Sequence, residues 1–478
     1  MQKHNRRTFL KTATSMAAAC ILPASALQTK TAWGDVLPAG QSIQAWRTCG
    51  EQHFEPIPAL AWQRGVPVRA MSISLDPSSR YQEVLGFGAA MTDASCYLLS
   101  QAPEAVRQSI FDACFGQDGL RFSVARTCIG SSDYSRFAYS FDESPTPDPE
   151  LKHFTLAHDE KYILPMLRKG LATNPSLFYF SSPWSPPAWM KDNNSLLGGA
   201  MIDTYMSSYA EYFVKFIQGY AAAGVPIRAV TVQNEVDTNQ DGRMPQCEWG
   251  QEYEMHFIER YLGPVFQKQD IRTKIWILDH NYDLWGRALD ELSDPNVYKY
   301  VDGVAWHGYV GTPDAMTRVH DAFPDKHAYW TEGGPDLTNP KHATNWAHWS
   351  ATFTGILRNW ARCITSWNLV LDQNGKPDIG PFDCGGLVTL NTETNQITHS
   401  GQFWAFAHYS KLINRGARIL GSWGELTGIS HVAAQNPDGT YVLVLTNQGS
   451  SQSLQVTLHD QAVQVDLPED SVTTLRWA

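Results

Sequence analysis

Residues 229–235 read Ala-Val-Thr-Val-Gln-Asn-Glu, a short apolar run that ends in an amide and a carboxylate. A run of this length and type is typical of a strand buried on both faces, as in a parallel sheet. A carboxylate at the end of such a strand lies on the rim where α/β barrels carry their catalytic groups. The stretch therefore predicts a barrel strand that delivers Glu235 to a catalytic rim, with a solvated loop carboxylate as the alternative.

A second stretch has the same construction, since residues 328–334 read Ala-Tyr-Trp-Thr-Glu-Gly-Gly. Its apolar part ends at Glu332, and the two glycines that follow allow other groups to approach closely. Glu332 lies 97 residues after Glu235, which leaves room for about three further strand–helix units of roughly 30 residues each. Two carboxylates on one rim indicate the acid/base and nucleophile pair of glycoside hydrolysis.

The composition is ordinary for a soluble globular protein with a substantial core. Of the 478 residues, 43% are hydrophobic and 18% are charged. The net charge is −11 and lysine and arginine form no stripe, so nucleic acid is not an expected partner. The 17 tryptophans are many, and although most are expected in the core, tryptophan is also a residue that stacks on sugar rings.

The N-terminus predicts an export signal rather than part of the fold. Twin arginines at 6–7 precede a modest apolar stretch at 13–22, and residues 24–26 offer a small-residue cleavage site. We expect residues 1–26 to be a twin-arginine-type signal peptide that sends the protein to the periplasm or the cell exterior. An ordinary basic N-terminus is the alternative, and lipidation of Cys20 stays open. The apolar stretch is too short for a membrane span, so none is expected in the mature chain.

The cysteines and histidines predict neither a metal site nor a cofactor. After residue 26 the chain has seven cysteines, none in a C-x-x-C pair, and no histidine cluster has zinc-ligand spacing. The odd number leaves at least one free thiol, and the sequence does not determine how any others pair. The oligomeric state is likewise not predicted.

Strand and helix patterns alternate between residues 84 and 413. The expected strands lie at 85–93 (with its rim loop), 122–129, 177–181, 229–232, 274–278, 303–306, 328–331 and 364–368. The expected helices lie at 94–115, 156–171, 202–223, 252–266, 344–360 and 401–412. Eight such units predict an α/β fold, a (β/α)₈ TIM barrel with insertions.

The chain on either side of the barrel has a different pattern. Residues 27–83 are expected to form an extended lead-in with a strand at 66–75 that turns at Pro77. Residues 414–478 are expected to form a small all-β sandwich, which the strand near Met71 joins and which packs rigidly on the barrel. Its strands are expected at 429–432, 441–446, 453–458, 462–467 and 472–477, with a hairpin turn at 436–439.

Polar and aromatic residues follow strand after strand, so they are expected to converge on one rim. They are Asp93, Arg126, Trp184, Asn234, Glu235, His307, Tyr309, Glu332 and Trp367. The motifs around them resemble those of glycoside hydrolase family 30, the glucosylceramidase-like retaining β-glycosidases, and the resemblance covers roughly residues 66–478. These motifs are GFGAAMTD at 86–93, SPWSPPAWMK at 182–191, TVQNE at 231–235, TEGG at 331–334 and WNL at 367–369.

The resemblance implies catalytic roles for the two glutamates. Glu235 would be the general acid/base, protonated at rest, and Glu332 the ionised nucleophile that forms a glycosyl-enzyme ester. Arg126 and Tyr309 would lie near the nucleophile and favour its charged form. Asn234 would bind the sugar 2-hydroxyl, an interaction that strengthens in the transition state.

The resemblance also implies that further side chains bind the sugar in the −1 subsite. These are Asp93, Trp184, Trp367 and, on the same rim, His307. Each residue has a structural alternative. Asp93 could be a helix N-cap, the tryptophans could be core residues, His307 could be a buried structural histidine, and Arg126 could pair with any buried carboxylate.

The chain departs from the family pattern at two places that leave the substrate open. Gly308 stands where many members have tryptophan, and Val236 and Asp237 follow Glu235 where many have proline. We therefore predict an exported retaining β-glycoside hydrolase that acts on a carbohydrate or glycolipid, with glucosylceramide-type β-glucosides first. A β-glucan or oligosaccharide hydrolase, for example a β-1,6-glucanase, is the alternative within the family. A non-catalytic carbohydrate-binding protein is the alternative from another class.

Overall fold

The computed structural model describes residues 42–238 and 240–478. The expected signal peptide at 1–26 and Cys20 lie outside the described residues, so export remains a prediction. In the part of the chain that the structure describes, no helix combines the length and the apolar character that a membrane span needs. The seven cysteines found there, Cys49 to Cys384, are all free thiols.

Eight parallel strands close into a barrel, each hydrogen-bonded to the next and the last to the first. They are β1 (Gly86–Ala90), β2 (Val124–Ile129), β3 (Phe178–Pro183), β4 (Ile227–Thr231), β5 (Lys274–Asn281), β6 (Val301–His307), β7 (His327–Glu332) and β8 (Ala361–Ser366). Nearly every residue in them is buried, which is why they read as apolar runs. The predicted TIM barrel is confirmed.

An apolar layer fills the barrel interior. It takes one residue from each strand after β1: Val124, Phe180, Ala229, Trp276, Ala305, Tyr329 and Cys363. Trp276 and Tyr329 stack with ring centroids 3.9 Å apart, and the two small alanines make room for these large rings. The polar strand ends therefore stand on a packed apolar layer, which fixes their positions.

The helices surround the barrel and follow the predicted order with local differences. They are Asp93–Gln101, Glu104–Phe115, Ile163–Thr173, Met206–Ala222, Gln251–Phe257, Gly263–Lys268, Trp285–Ser293, Pro295–Tyr298, Asp314–Ala322, Trp346–Arg358 and Gly401–Ser410. The helix expected at 94–115 is broken at Pro103, since proline disfavours a helical residue before it. The helix expected at 252–266 widens into a π-turn at Ile258–Leu262 just before Pro264, which lacks an N–H. The helices Trp285–Ser293 and Asp314–Ala322 were not predicted.

The second part is a β-sandwich built from both ends of the described chain. Its strands are Ser42–Cys49, Gln52–Ala61, Gln63–Arg64, Ser72–Glu83, Arg418–Trp423, Ile429–Gln435, Tyr441–Asn447, Gln452–Leu458, Gln461–Leu467 and Ser471–Trp477. The five predicted C-terminal strands are confirmed, and Arg418–Trp423 was missed. Ser72–Glu83 pairs with Arg418–Trp423 and Gln452–Leu458, so the predicted joining strand is also confirmed.

Two predictions for the N-terminal part are wrong. Residues 42–61 form an antiparallel hairpin, not an extended lead-in, and Ser42–Cys49 pairs with the last strand, Ser471–Trp477. The chain does not turn away at Pro77, because the strand Ser72–Glu83 continues past it. The register shifts there, since Asp76 pairs with Gly421 and Arg80 pairs with the adjacent Leu420. A bulge of this kind accommodates a proline within a strand.

Candidate active site

A cavity of about 740 Å³ opens at the C-terminal ends of the barrel strands. Six of the predicted site residues line it: Trp184, Asn234, Glu235, Tyr309, Glu332 and Trp367. Arg126 and His307 are fully buried and contact the carboxylates from behind. A small sheet of Val370–Asp372, Val388–Leu390 and Ile397–His399 follows β8, and the loop within it adds Pro381 to Cys384 to the lining.

Arg126, near the middle of β2, organises the floor of the site. Its guanidinium donates to Glu332, to Asp279 at 2.8 Å, to Asn234 Oδ1 at 2.8 Å and to Ser182 Oγ at 3.1 Å. Burial opposes its charge, but Asp279 and Glu332 outweigh this and raise the pKa of Arg126. The planar guanidinium thus holds two carboxylates and an amide in fixed positions.

Glu332 ends β7 with both carboxylate oxygens bonded. Oε2 accepts from Arg126, and Oε1 accepts from the Tyr309 hydroxyl at 3.0 Å. The side chain is 7% exposed, toward the cavity. Arg126 and Tyr309 are the two neighbours that were expected beside the nucleophile.

Glu235 also lines the cavity, four residues beyond the end of β4. Its backbone has φ 51° and its N–H donates to Asp279 O at 3.0 Å. His307 Nδ1 lies 3.5 Å from Glu235 Oε1, and His307 Nε2 lies 3.7 Å from Glu332 Oε2. One imidazole therefore contacts both glutamates.

The electrostatics of Glu235 and His307 differ from the expectation of a glutamate that is protonated at rest. Burial disfavours the charged imidazole, but Glu332, Asp279 and Glu235 outweigh it and raise the pKa of His307 to about 9. Burial raises the pKa of Glu235, yet His307 and His280 outweigh it, so that the net pKa of Glu235 is lowered. The proton of this pair thus rests on His307 beside Glu235.

Asp279, at the end of β5, is a site residue that the sequence analysis missed. It is fully buried and accepts from Arg126 and His307, and from the hydroxyls of Ser182, Thr231 and Thr331, each at 2.7 Å. Burial opposes its charge, but Arg126 and His307 hold its pKa far below the usual range. Its position at a polar strand end was the signal that could have identified it.

Asp133 is a second missed residue, and it lines the cavity near Trp184 and Trp367. Its Oδ1 is buried without a hydrogen-bond partner. Burial, with Glu332 and Glu235 nearby, raises the pKa of Asp133 well above its usual value. Asp133 lies four residues beyond the end of β2, as Glu235 lies four residues beyond the end of β4, so its position after a strand could have identified it.

The two predicted sugar-stacking tryptophans form one wall. The Trp184 and Trp367 rings stack at 5.1 Å, and the Arg126 guanidinium lies 4.8 Å from the first ring and 5.4 Å from the second. Each side chain is 1% exposed, and both line the cavity. The two tryptophans are therefore buried core residues that also form part of the cavity wall. Core packing and a place beside the sugar do not exclude each other.

Asp93 is not brought to the cavity, which corrects the prediction that it binds the sugar. It is the first residue of the helix Asp93–Gln101, and Thr92 is the N-cap. Its carboxylate accepts from Tyr162 at 2.7 Å and from the Arg136 backbone N–H at 3.0 Å, and contacts His158 at 2.7 Å. With these partners, Asp93 joins the helix to the following loops.

The departure from the family pattern at Gly308 has a steric cause. A Cβ at Gly308 would lie 2.6 Å from the Trp330 ring, and one at Gly333 would lie 2.3 Å from the same ring. Trp330 is buried in β7, so neither glycine can be replaced without moving it. The group that approaches closely at Gly333, the first glycine after Glu332, is therefore the Trp330 indole.

Comparisons with known proteins agree with the fold. Residues 84–413 match the glycosyl hydrolase family 30 TIM-barrel domain, and residues 416–475 match the glycosyl hydrolase family 30 β-sandwich domain. An endo-1,6-β-D-glucanase of Neurospora crassa is 34% identical over 414 residues, 83% of this chain and 85% of that protein. The lysosomal acid glucosylceramidase of Mus musculus is 28% identical, over 85% of this chain and 83% of that protein. Among solved structures, the endo-β1,6-glucanase BT3312 superposes with a TM-score of 0.84 at 30% identity, covering 91% of this chain and 99% of that one.

Proposed function

The chain belongs to glycosyl hydrolase family 30, and from this premise we propose that it is a retaining hydrolase of β-1,6-linked glucan. The observation that carries the proposal is the facing pair of glutamates at one cavity, with Glu332 held by Arg126 and Tyr309. The relatives that are named for β-1,6-glucan hydrolysis are more similar to this chain than the glucosylceramidase is. We therefore propose β-1,6-glucan, the alternative substrate within the family, in place of a glucosylceramide-type β-glucoside.

The two glutamates would act in two displacements. In the first, Glu332 attacks the anomeric carbon while Glu235 gives a proton to the glycosidic oxygen, so that a glycosyl ester forms and the leaving chain departs as an alcohol. In the second, Glu235 takes a proton from water, the water oxygen attacks the anomeric carbon, and Glu332 is released. The anomeric configuration is retained because the carbon is inverted twice.

The proton for the first displacement would belong to the pair of Glu235 and His307. The imidazole carries it at rest, and Nδ1 lies 3.5 Å from the Glu235 oxygen that must deliver it. Coupled groups of this kind titrate as a unit, so the acid of the reaction is the pair rather than either residue alone. After proton delivery, Glu235 is ionised and is ready to act as the base.

Other side chains of the cavity would bind the sugar. Trp184 and Trp367 form the wall beside which a pyranose would lie, and Asn234 lies beside Glu235 where it can bind the 2-hydroxyl. Asp133 takes over the role expected of Asp93, because its unpartnered buried oxygen is an acceptor for a sugar hydroxyl.

The mouth of the cavity favours a hydroxylated chain over a lipid. Polar side chains there would have to lose their water to lipid tails, and they are Thr238, Gln240, Asn281, Asp336, Thr338 and Asp383. Two exposed aromatic residues, Tyr309 and Phe382, lie at the same mouth and suit stacking on further sugar rings. A polysaccharide would contact both the polar side chains and the exposed aromatic rings.

The substrate is tested by offering the purified protein linear β-1,6-glucan, β-1,3-glucan, β-1,4-linked oligosaccharides and glucosylceramide in parallel. We expect release of β-1,6-linked oligosaccharides from the first substrate, with the β-configuration at the new reducing end by NMR. The Glu332→Gln variant is the matched inactive control. Turnover of glucosylceramide without turnover of β-1,6-glucan would overturn the substrate and return it to the class of the glucosylceramidase relatives.

The roles of the two glutamates are tested separately. Glu332→Gly should be inactive on an aryl β-glucoside and regain turnover with azide, giving the inverted α-azide, because azide fills the place of the missing nucleophile. Glu235→Ala should retain the first displacement on dinitrophenyl glucosides, whose leaving groups need no proton. Wild-type rates in Glu332→Gly would show that the nucleophile has been assigned to the wrong residue.

A further inference from the structure

Two histidines direct the same ring nitrogen at the oxygen of Glu235. His307 Nδ1 is 3.5 Å and His280 Nδ1 is 3.9 Å from Glu235 Oε1. Both nitrogens are buried and neither has a hydrogen-bond partner. The three possible ligand atoms all lie within 4.8 Å of one another. Unpartnered buried nitrogens are costly, so a site that leaves two of them beside one carboxylate is suited to bind a further atom.

The other nitrogen of each ring is held by a carboxylate. His307 Nε2 lies 3.0 Å from Asp279 Oδ1, and His280 Nε2 lies 2.7 Å from Asp237 Oδ1. With Nε2 held by a carboxylate, Nδ1 is the nitrogen of each ring that faces Glu235, and it can bind a metal ion once it carries no proton. A carboxylate behind each imidazole is the arrangement that orients histidine ligands in metal sites.

We propose that Glu235, His280 and His307 bind a divalent transition-metal ion of the Zn²⁺ class, and that the ion reversibly inhibits the enzyme. Two imidazoles and one carboxylate suit Zn²⁺ and its neighbours rather than Mg²⁺ or Ca²⁺, which prefer oxygen ligands. Zn–N and Zn–O bonds of about 2.0–2.1 Å place tetrahedral ligands about 3.3 Å apart, so the site closes when the two imidazoles move toward each other and toward Glu235. The ligands are far apart in the sequence, which is why spacing predicted no metal site.

Inhibition rests on the proposed function, whereas metal binding does not. An ion on Glu235 Oε1 occupies the atom that delivers the proton to the leaving group. Occupancy of that atom removes the acid, and a chelator that withdraws the ion restores it.

The test uses the full chain, stripped with EDTA and transferred to metal-free buffer. Isothermal titration with ZnCl₂ should give one site per chain, and Co²⁺ should produce the visible absorption of a nitrogen- and oxygen-ligated site. Zn²⁺ should inhibit turnover with a midpoint that matches its dissociation constant, and EDTA should reverse it. Absence of Zn²⁺ binding at millimolar concentration would overturn the proposal.

Variants locate the site. His280→Ala removes a ligand, and we expect Zn²⁺ affinity to fall at least about 10-fold. Asp237→Ala removes only the carboxylate that holds His280 Nε2, on the exposed side of the ring, and we expect it to lower Zn²⁺ affinity about 10-fold. His153→Ala is the matched control, because Asp142, Asp148 and His153 form the other candidate group in the described residues. That variant should bind Zn²⁺ as the wild type does.

The outcomes separate the metal site from the proposed function. Wild-type Zn²⁺ affinity in both His280→Ala and Asp237→Ala, or loss of binding in His153→Ala, would refute the site. A protein that binds Zn²⁺ as described but hydrolyses no β-glucoside would refute the function alone. Circular dichroism melts establish that each variant is folded, and Asp237, being half-exposed, provides a variant with little effect on the core.

Discussion

At the floor of the cavity, the Asp279 carboxylate joins Arg126, which holds Glu332, to His307, which contacts Glu235. Asp279→Asn removes the negative charge between Arg126 and His307 and turns an amide N–H toward their N–H donors. We expect this to lower the free energy of unfolding by about 3–5 kcal/mol. It also frees the two positively charged side chains to move, and we expect kcat to fall at least about 100-fold. Urea unfolding and steady-state kinetics measure the two effects.

A matched control for this prediction lies at the opposite end of the barrel. Asp302 accepts hydrogen bonds from Trp276 and Tyr329 and pairs with Lys274, away from the glutamates. Asp302→Asn should lower stability while leaving kcat near the wild-type value. If Asp279→Asn behaves in the same way as this control, Asp279 has only a structural role.

The Tyr309 hydroxyl is the second group that holds the nucleophile, at 3.0 Å from Glu332 Oε1. Tyr309→Phe keeps the ring and removes a hydrogen bond to a charged group, an interaction that contributes about 1.5–3 kcal/mol. We expect kcat/KM to fall about 10–100-fold, with the free energy of unfolding within about 0.5 kcal/mol of wild type, since the residue is half-exposed. Kinetics on an aryl β-glucoside measure the loss, and an unchanged kcat/KM would show that this bond contributes nothing to catalysis.

Residues were predictable where chemistry and strand ends coincide, and not elsewhere. Glu235 and Glu332 each follow an apolar strand, and the barrel brings such ends together. Asp133 lies as far beyond β2 as Glu235 lies beyond β4 and lines the same cavity, although the sequence analysis did not select it. Asp93 shows the converse, because it follows a strand yet bonds to His158 and Tyr162. Sequence gives the position along the chain but not the direction in which a side chain points.

At the scale of elements, the helix Gly401–Ser410 joins the first and last sandwich strands through one histidine. His408 is fully buried, with Nδ1 2.8 Å from Thr474 Oγ1 and Nε2 2.8 Å from Thr48 Oγ1. Burial lowers the pKa of His408 from 6.5 to about 3. The ring is therefore neutral in the folded chain and takes up a proton on unfolding once the pH falls below 6.5.

The sign of the resulting pH dependence follows directly. The contribution of neutral His408 to the free energy of unfolding is complete above about pH 6.5. It is lost at about 1.4 kcal/mol per pH unit as the pH falls toward about 3. His408→Gln cannot titrate, so between about pH 6.5 and 4.5 the wild type should lose about 2 kcal/mol more than the variant. Urea unfolding of both proteins at the two pH values measures this difference. Parallel losses in the two proteins would exclude His408 as the titrating group.

Whole elements were predictable from apolar periodicity, and their interruptions were not. The eight barrel strands and the five C-terminal strands follow their patterns closely. The break at Pro103, the π-turn before Pro264 and the bulge near Pro77 all occur at prolines, whose outcome depends on neighbours. The hairpin at 42–61 was missed because its partner strand, Ser471–Trp477, lies at the other end of the chain.

At the scale of the whole molecule, the sandwich is attached to the barrel away from the catalytic rim as well as along its helices. Arg415 donates to the carbonyls of Leu85, Ser123 and Ser176, which lie at the N-terminal ends of the first three strands. Residues 42–238 and 240–478 accordingly belong to one compact unit. The sandwich thus covers part of the barrel surface at the end opposite the two glutamates.

A hydroxyl cluster at the barrel–sandwich junction tests whether the two parts unfold together. Tyr409, on the helix Gly401–Ser410, donates to Ser350 O at 2.6 Å, and Ser350 Oγ lies 2.6 Å from Thr446 Oγ1 in the sandwich. Tyr409→Phe leaves buried polar groups unpaired, at a cost of about 1–3 kcal/mol, whereas the surface change Tyr298→Phe should stay within about 0.5 kcal/mol. Calorimetry should give one transition for wild type and variant alike, with equal kcat below it. If the two parts were only loosely coupled, Tyr409→Phe would instead split the unfolding into two transitions, because the junction would fail before either core.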